Sequence, residues 1–121
     1  MEPGGRAQLG IAAELAAAQY LQQLGYRVRH RRWHCREGEL DLVLYNPAER
    51  QVVFVEVKAR RTHTYGSPAE SIGPRKQRAL EAAIERYLAA TRCRSRYRVD
   101  VVTVDGLTLR VAEHLRNVRF G

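Results

Sequence analysis

Two apolar runs, ELDLVLYN at 39–46 and QVVFVEVK at 51–58, are joined by the turn-forming segment N-P-A-E-R. Their richness in Val, Leu, Phe and Tyr predicts two strands of one hairpin, because β-branched and aromatic side chains pack well on a pleated surface. If Asn46 pairs with Gln51 across the turn, opposite residues sum to 97. Tyr45 then faces Val52, Val43 faces Phe54, and Asp41 faces Glu56. Side chains alternate along a strand, so Glu56 and Lys58 share one face. In that register the Asp41 and Glu56 carboxylates sit directly cross-strand, with Cβ atoms about 4.5–5.5 Å apart. Like charges so placed in a half-buried sheet repel with little screening. A divalent cation held by carboxylate oxygens offsets such repulsion, and Lys58 adds positive charge one step along. The plain alternative is a structural ion-pair cluster, with Glu39 opposite Lys58 as one pair.

The rest of the chain supplies partners for that hairpin. GRAQLGIAAELAAAQYLQQLGY predicts a helix over about 5–24, closed by Gly25 at its C′ position. Tyr26 to Trp33 alternates Tyr26, Val28 and His30 with Arg27, Arg29 and Arg31, as a strand exposed on one face does. Residues 59–73 read as a long loop, and Pro74 opens a second helix over 74–90. YRVDVVTV at 97–104 is a further strand, with Asp105-Gly106 as a hairpin signal before TLRVAEHL. The order α-β-β-β-α-β-β predicts an α/β fold, a mixed sheet flanked by helices. At 121 residues the chain suits a single domain, 1–121.

Charge narrows the function classes. Lys plus Arg is 21 against 13 Asp plus Glu, a net charge of +8. RVRHRRWHCR at 27–36 alone holds five arginines. KARR at 58–61, PRKQR at 74–78 and RCRSRYR at 92–98 add further clusters. These predict a polyanion surface, nucleic acid above all, with Trp33, Tyr65 and Tyr97 as stacking candidates. No apolar run reaches the roughly 18 residues of a membrane span, so no membrane partner is expected. The first residues carry no basic and apolar leader pattern, and two cysteines make no disulfide framework; a cytoplasmic location is the expectation. Only Lys58 and Lys76 are lysines among the 21 cations, which singles out positions where an ammonium serves better than a guanidinium.

Two further features bear on the hairpin. Glu14 is the only charged residue between Arg6 and Arg27, and small neighbours Gly10, Ala17 and Ala18 would let its helix approach the sheet. It is either an ordinary solvent-facing glutamate or a third carboxylate aimed at the site. The first turn of the second helix, with Arg75, Lys76 and Arg78, puts cations at the positive end of the helix dipole. A bound phosphate would turn that cost into a gain; three solvated side chains are the alternative. His30, His34 and Cys35 have no second ligand pair to complete a zinc site, and Asp100 in RVDVV suits a buried partner for an arginine. No Ser-His-Asp arrangement, nucleotide-binding glycine loop or HExxH motif is present.

GELDLV (38–43), VFVEVKAR (53–60), GSPAESIGPRK (66–76) and YRVDVV (97–102) together resemble the YraN-type uncharacterised bacterial proteins. Those in turn resemble archaeal Holliday-junction resolvases and the PD-(D/E)xK restriction-endonuclease-like superfamily. The resemblance spans nearly the whole chain. It implies a restriction-endonuclease-like fold and a nuclease site dependent on Mg²⁺, with Mn²⁺ as a substitute. Carried over by position, Asp41 and Glu56 would bind metal, Lys58 would take the E-x-K role, and Glu14 would be the helix carboxylate. Arg60 and Lys76 fall on motif positions without an assigned chemical role. Leu40 replaces the proline of the superfamily motif, and Arg32 stands where many relatives carry asparagine. The function so implied is phosphodiester hydrolysis in DNA, branched or repair intermediates included, by a chain that would act as a homodimer on a two-fold substrate. Arg29, Arg31, Arg32, Arg60, Arg61, Arg75, Lys76 and Arg78 would hold the phosphate backbone. The alternative is a non-catalytic nucleic-acid-binding module with the same fold.

Overall fold

A computed structural model describes residues 5–60 and 72–120, with side chains from Gln8 onward. The elements are α1 (Gly5–Gln23), β1 (Arg27–Cys35), β2 (Gly38–Asn46), β3 (Gln51–Arg60), α2 (Pro74–Ala90), β4 (Arg96–Asp105) and β5 (Val111–Leu115). The strands form one sheet in the order β1-β2-β3-β4-β5. β1, β2 and β3 run antiparallel in turn, β3 and β4 are parallel, and β5 returns antiparallel. The architecture is thus the α/β mixed sheet flanked by helices that the order of elements predicts. A parallel pair needs a crossover, and α2 provides it.

Each helix covers one face. Ala13, Ala17, Ala18 and Leu21 of α1 pack on Leu42, Leu44, Val53, Val55, Val102 and Val104. Alanine at i and i+4 leaves no bulk between helix and sheet, so α1 lies close to the strands. Leu80, Ala83, Ile84 and Tyr87 of α2 follow the i, i+3, i+4, i+7 pattern and bury against Val43, Val52 and Phe54 on the other face. Gly25 (φ +97°) ends α1, and Tyr26 N–H donates back to Leu21 O at 3.0 Å, which closes the helix as a C′ glycine does.

Several details depart from simple expectation. β3 runs through Arg60, so the segment read as a loop from 59 begins as strand, and 61–71 lies outside the described residues. Asp105-Gly106 does not form a two-residue hairpin. The Asp105 carboxylate accepts from Leu107 N–H (2.7 Å) and Thr108 N–H (3.1 Å), building a wider turn before β5. In β1 the register shifts between Val28 and His30, which breaks the predicted alternation. His30 consequently reaches the α2 side, where its Nδ1 lies 2.8 Å from Tyr87 Oη. Trp33 packs edge-on against Tyr87 at 5.3 Å, so it serves the core rather than a stacking surface. Tyr97 remains about half exposed, and Tyr65 lies outside the described residues.

Under α1, β4 carries a buried charged network. Arg98 Nε donates to Asp100 Oδ1 (2.9 Å), and its other nitrogens reach Glu49, Gln51 and Tyr26. His114 Nε2 lies 2.8 Å from Asp100 Oδ2, and Asn117 N–H donates to Oδ1 at 3.0 Å, tying β5 and the chain beyond it to the sheet. Asp100 is thus the buried arginine partner that the sequence predicts. Burial opposes its charge, but His114, Arg98 and the Asn117 amide together hold its pKa below the usual range. Removing one member of a buried ion pair strands the other. Asp100→Ala is therefore expected to cost about 3–5 kcal/mol, read as a lower urea midpoint at unchanged m value.

Candidate metal centre

The hairpin register agrees with the sum rule: Asn46 faces Gln51, Tyr45 faces Val52, Val43 faces Phe54 and Leu42 faces Val55. The paired ladder stops there, one residue short of Asp41. Asp41 instead turns its side chain across to β3, where Oδ2 accepts from Val57 N–H at 2.8 Å. Leu42 packs under α1, whereas Leu40, which alternation would place on the same face, packs under α2. The phase of β2 therefore reverses at Asp41. β1 accommodates the change at the neighbouring level: Arg31 faces Leu42, Trp33 faces Leu40, and Arg32 between them has φ +47°. A positive φ is uncommon for a branched-out L residue and is most readily taken by asparagine or glycine. Arg32 adopts that backbone with some strain.

Glu56 is 3% exposed, although it is a carboxylate at the end of an otherwise apolar run. Lys76 Nζ lies 3.2 Å from its Oε1. Its Oε2 is buried and has no hydrogen-bond partner. Thr103 Oγ1 is the other such atom among the described residues, and Thr103 is the register neighbour of Lys58 on β4. A buried oxygen without a partner loses hydration with nothing in return, so Glu56 Oε2 keeps acceptor capacity that no described residue uses. Hard carboxylate oxygens of Asp41 and Glu56 fit Mg²⁺ or Mn²⁺ in donor chemistry.

Burial is the first cause of the pair's altered acidity. It pushes Asp41 upward, against the opposing pull of the Val57 amide and Lys76. Burial and the Asp41 charge push Glu56 up to about 7, with Lys76 and more weakly Lys58 acting the other way. Burial thus disfavours the charge on both carboxyls, and the Asp41 charge adds to that effect at Glu56. Burial works against the Lys76 charge too, yet Glu56 and Asp41 more than offset it and raise its pKa.

Glu14 stands beside this pair. Its charge interacts with Asp41, and burial followed by that interaction raises its pKa to about 7. Its direct partner is Arg32, with Nε 3.8 Å from Oε1. Among the described residues no three His, Cys, Asp or Glu side chains gather closely enough to hold a metal by themselves. Asp41 and Glu56 act on each other's acidity, and Glu14 interacts with Asp41 through charge. Lys58 is half-buried and acts on Glu56 through its charge alone, while Glu39 pairs with His34 at 3.7 Å rather than with Lys58.

The cationic positions spread around this centre. Arg29, Arg31 and Arg32 are exposed on β1, an edge strand, with the Arg29 guanidinium 4.6 Å from the centre of the Tyr45 ring. Arg75 and Arg78 are exposed on the first turns of α2. Arg60 is half-buried at the end of β3. Arg61 lies outside the described residues. Two contacts escaped sequence reasoning: Lys76 with Glu56, and Arg32 with Glu14. The scarcity of lysine was the only sequence signal for the first; the second had none.

The model of the uncharacterised protein family UPF0102 matches residues 13–104. A UPF0102 protein of Myxococcus xanthus is 47% identical over 107 residues, covering 86% of this chain and 82% of that protein. One from Bifidobacterium longum is 47% identical over 100 residues, with 80% of each chain covered. One from Mycobacterium sp. strain KMS is 44% identical over 100 residues, covering 82% of this chain and 74% of its own.

A pH signature follows from Glu56. Its folded pKa of about 7 lies above the ordinary 4.5, so between those values the folded chain holds a proton that the unfolded chain releases. Stability therefore falls as pH rises through that window, by on the order of 2–3 kcal/mol from Glu56. In protein treated with chelator, thermal melts of wild type are expected to drop from acid to neutral pH more steeply than those of Glu56→Gln. Parallel profiles would refute the shift.

Proposed function

Since the chain belongs to the uncharacterised protein family UPF0102, whose name carries no reaction, we propose a function from the site itself: metal-dependent hydrolysis of phosphodiester bonds in DNA. The observation that carries this reading is the Asp41–Glu56 pair, buried, mutually repelling, and left with an oxygen that no described residue satisfies. A surface that only binds nucleic acid needs cations and gains nothing from carboxylates held in this way. Mg²⁺ or Mn²⁺ held by Asp41 and Glu56, with the Val57 carbonyl as a further donor, would supply Lewis-acid polarisation of the phosphate and a water of lowered pKa.

The protein's own groups do the rest. The Val57 amide fixes Asp41 so that no side-chain rotation is needed on ligand binding. Lys58 orients the attacking water or neutralises charge that develops on the phosphoryl oxygens. Glu14 acts through water or on a second ion. Arg29, Arg31, Arg32, Arg60, Arg61, Arg75 and Arg78 would hold the nucleic-acid backbone, giving affinity without sequence preference. A branched or repair intermediate suits such a surface, and a two-fold branched substrate would be served by a homodimer. No helix among the described residues is long and apolar enough to cross a membrane. With both cysteines free, a reducing cytoplasm is the compartment we assign.

The arginine-rich edge strand favours one other reading, a nucleic-acid-binding module without catalysis. Incubation with Mg²⁺ or Mn²⁺ and single-stranded, duplex, flap and four-way DNA separates the two. Wild type is expected to cut at least one of these, with Asp41→Asn and Glu56→Ala slower by about a thousandfold or more while DNA binding persists. A wild type that cuts nothing, yet binds as its variants do with steep salt dependence, would establish the binding module instead.

A further inference from the structure

The chain's only two lysines both act on the same carboxylate, that of Glu56. Lys58 does so from two residues along β3, through charge alone. Lys76 does so from the first turn of the crossover helix α2, with Nζ 3.2 Å from Oε1. Its mount is firm. Ile72 is buried, Gln77 N–H donates to Gly73 O at 2.9 Å, and Gln77 Nε2 donates to Ile72 O at 2.7 Å. Pro74 then sets the first turn of α2. Lys76 therefore leans on Glu56 from a braced position. It occupies one carboxylate oxygen and leaves the other, Oε2, buried and without a partner among the described residues.

We propose that Lys76 is a positioning residue that restricts Glu56 to a single metal-facing oxygen and thereby selects a small octahedral cation over Ca²⁺. This rests on the metal-dependent reading above. Ca²⁺ accepts six to eight oxygens and often takes both oxygens of one carboxylate, whereas Mg²⁺ demands near-octahedral geometry with few protein ligands. A Glu56 whose Oε1 is held by an ammonium offers one oxygen, which suits the smaller ion. The choice of lysine has the same logic. A guanidinium presents a planar fork that takes both carboxylate oxygens at once, which would close Oε2 as well. In a chain where 19 of 21 cations are arginine, an ammonium stands at the position where a fork would cap the ligand.

The test uses the full chain without DNA. Mn²⁺ and Ca²⁺ are titrated calorimetrically at about pH 8, where carboxylate ligands are ionised. Wild type is expected to prefer Mn²⁺. Lys76→Met, which frees Oε1, is expected to shift the Mn²⁺-to-Ca²⁺ ratio toward Ca²⁺ by about tenfold or more. Lys76→Arg keeps the positive charge and the fold, and is expected to weaken Mn²⁺ binding by about tenfold by capping both oxygens. An unchanged ratio in Lys76→Met, or a Lys76→Arg that binds Mn²⁺ as wild type does, overturns the positioning role and leaves the metal centre standing. A wild type that binds neither ion overturns both.

Discussion

The hydrogen bond from Val57 N–H to Asp41 Oδ2 decides the shape of this end of the sheet. In a continuous ladder a backbone carbonyl of β2 would take its place. A carboxylate that reaches into the plane of the sheet does the same electrostatic work, but it needs the strand to rotate and draw away. Leu40 then swings to the α2 side, and Arg32 on the next strand adopts a left-handed conformation to follow. Two strands lose their regular phase at one level so that one acidic side chain can be clamped. Bulges and local twists beside functional sites re-aim side chains in this manner.

Two buried carboxylates on neighbouring strands show how environment separates a satisfied acid from an unsatisfied one. Asp100 is fully buried, yet Arg98, His114 and Asn117 satisfy both of its oxygens, and its pKa falls. Glu56 is buried almost as deeply, has one oxygen satisfied, and its pKa rises. Charge alone does not distinguish the two, since each has a cationic partner. What differs is completeness. A satisfied network fixes a fold, whereas an incomplete one retains capacity for a ligand.

Much of this was legible in the residues. The short turn between 46 and 51 suggested the hairpin register, because pairing Asn46 with Gln51 across it sets every later pair. Gly25 as a helix terminator and Asp100 as a buried partner for an arginine were visible for similar local reasons; that the arginine is Arg98 was not. The phase reversal was not, since arginine has no propensity that announces a positive φ. Nor was the Lys76–Glu56 contact, which joins residues 20 apart across a crossover whose path no local pattern specifies. The helix dipole made the cations of α2 look misplaced; a buried carboxylate facing one of them explains part of the anomaly.

β1 is the outermost strand on its side of the sheet, and Arg27, Arg29, Arg31 and Arg32 along it are all exposed. The unpaired amides and carbonyls of such an edge invite another strand to dock. Here a second copy approaching in that way would press arginine against arginine, with an irregular register besides. The strand's edge is thereby left open, and self-association through it is held in check by the same side chains. Anything that neutralises them, a bound polyanion included, also lifts the guard on that edge.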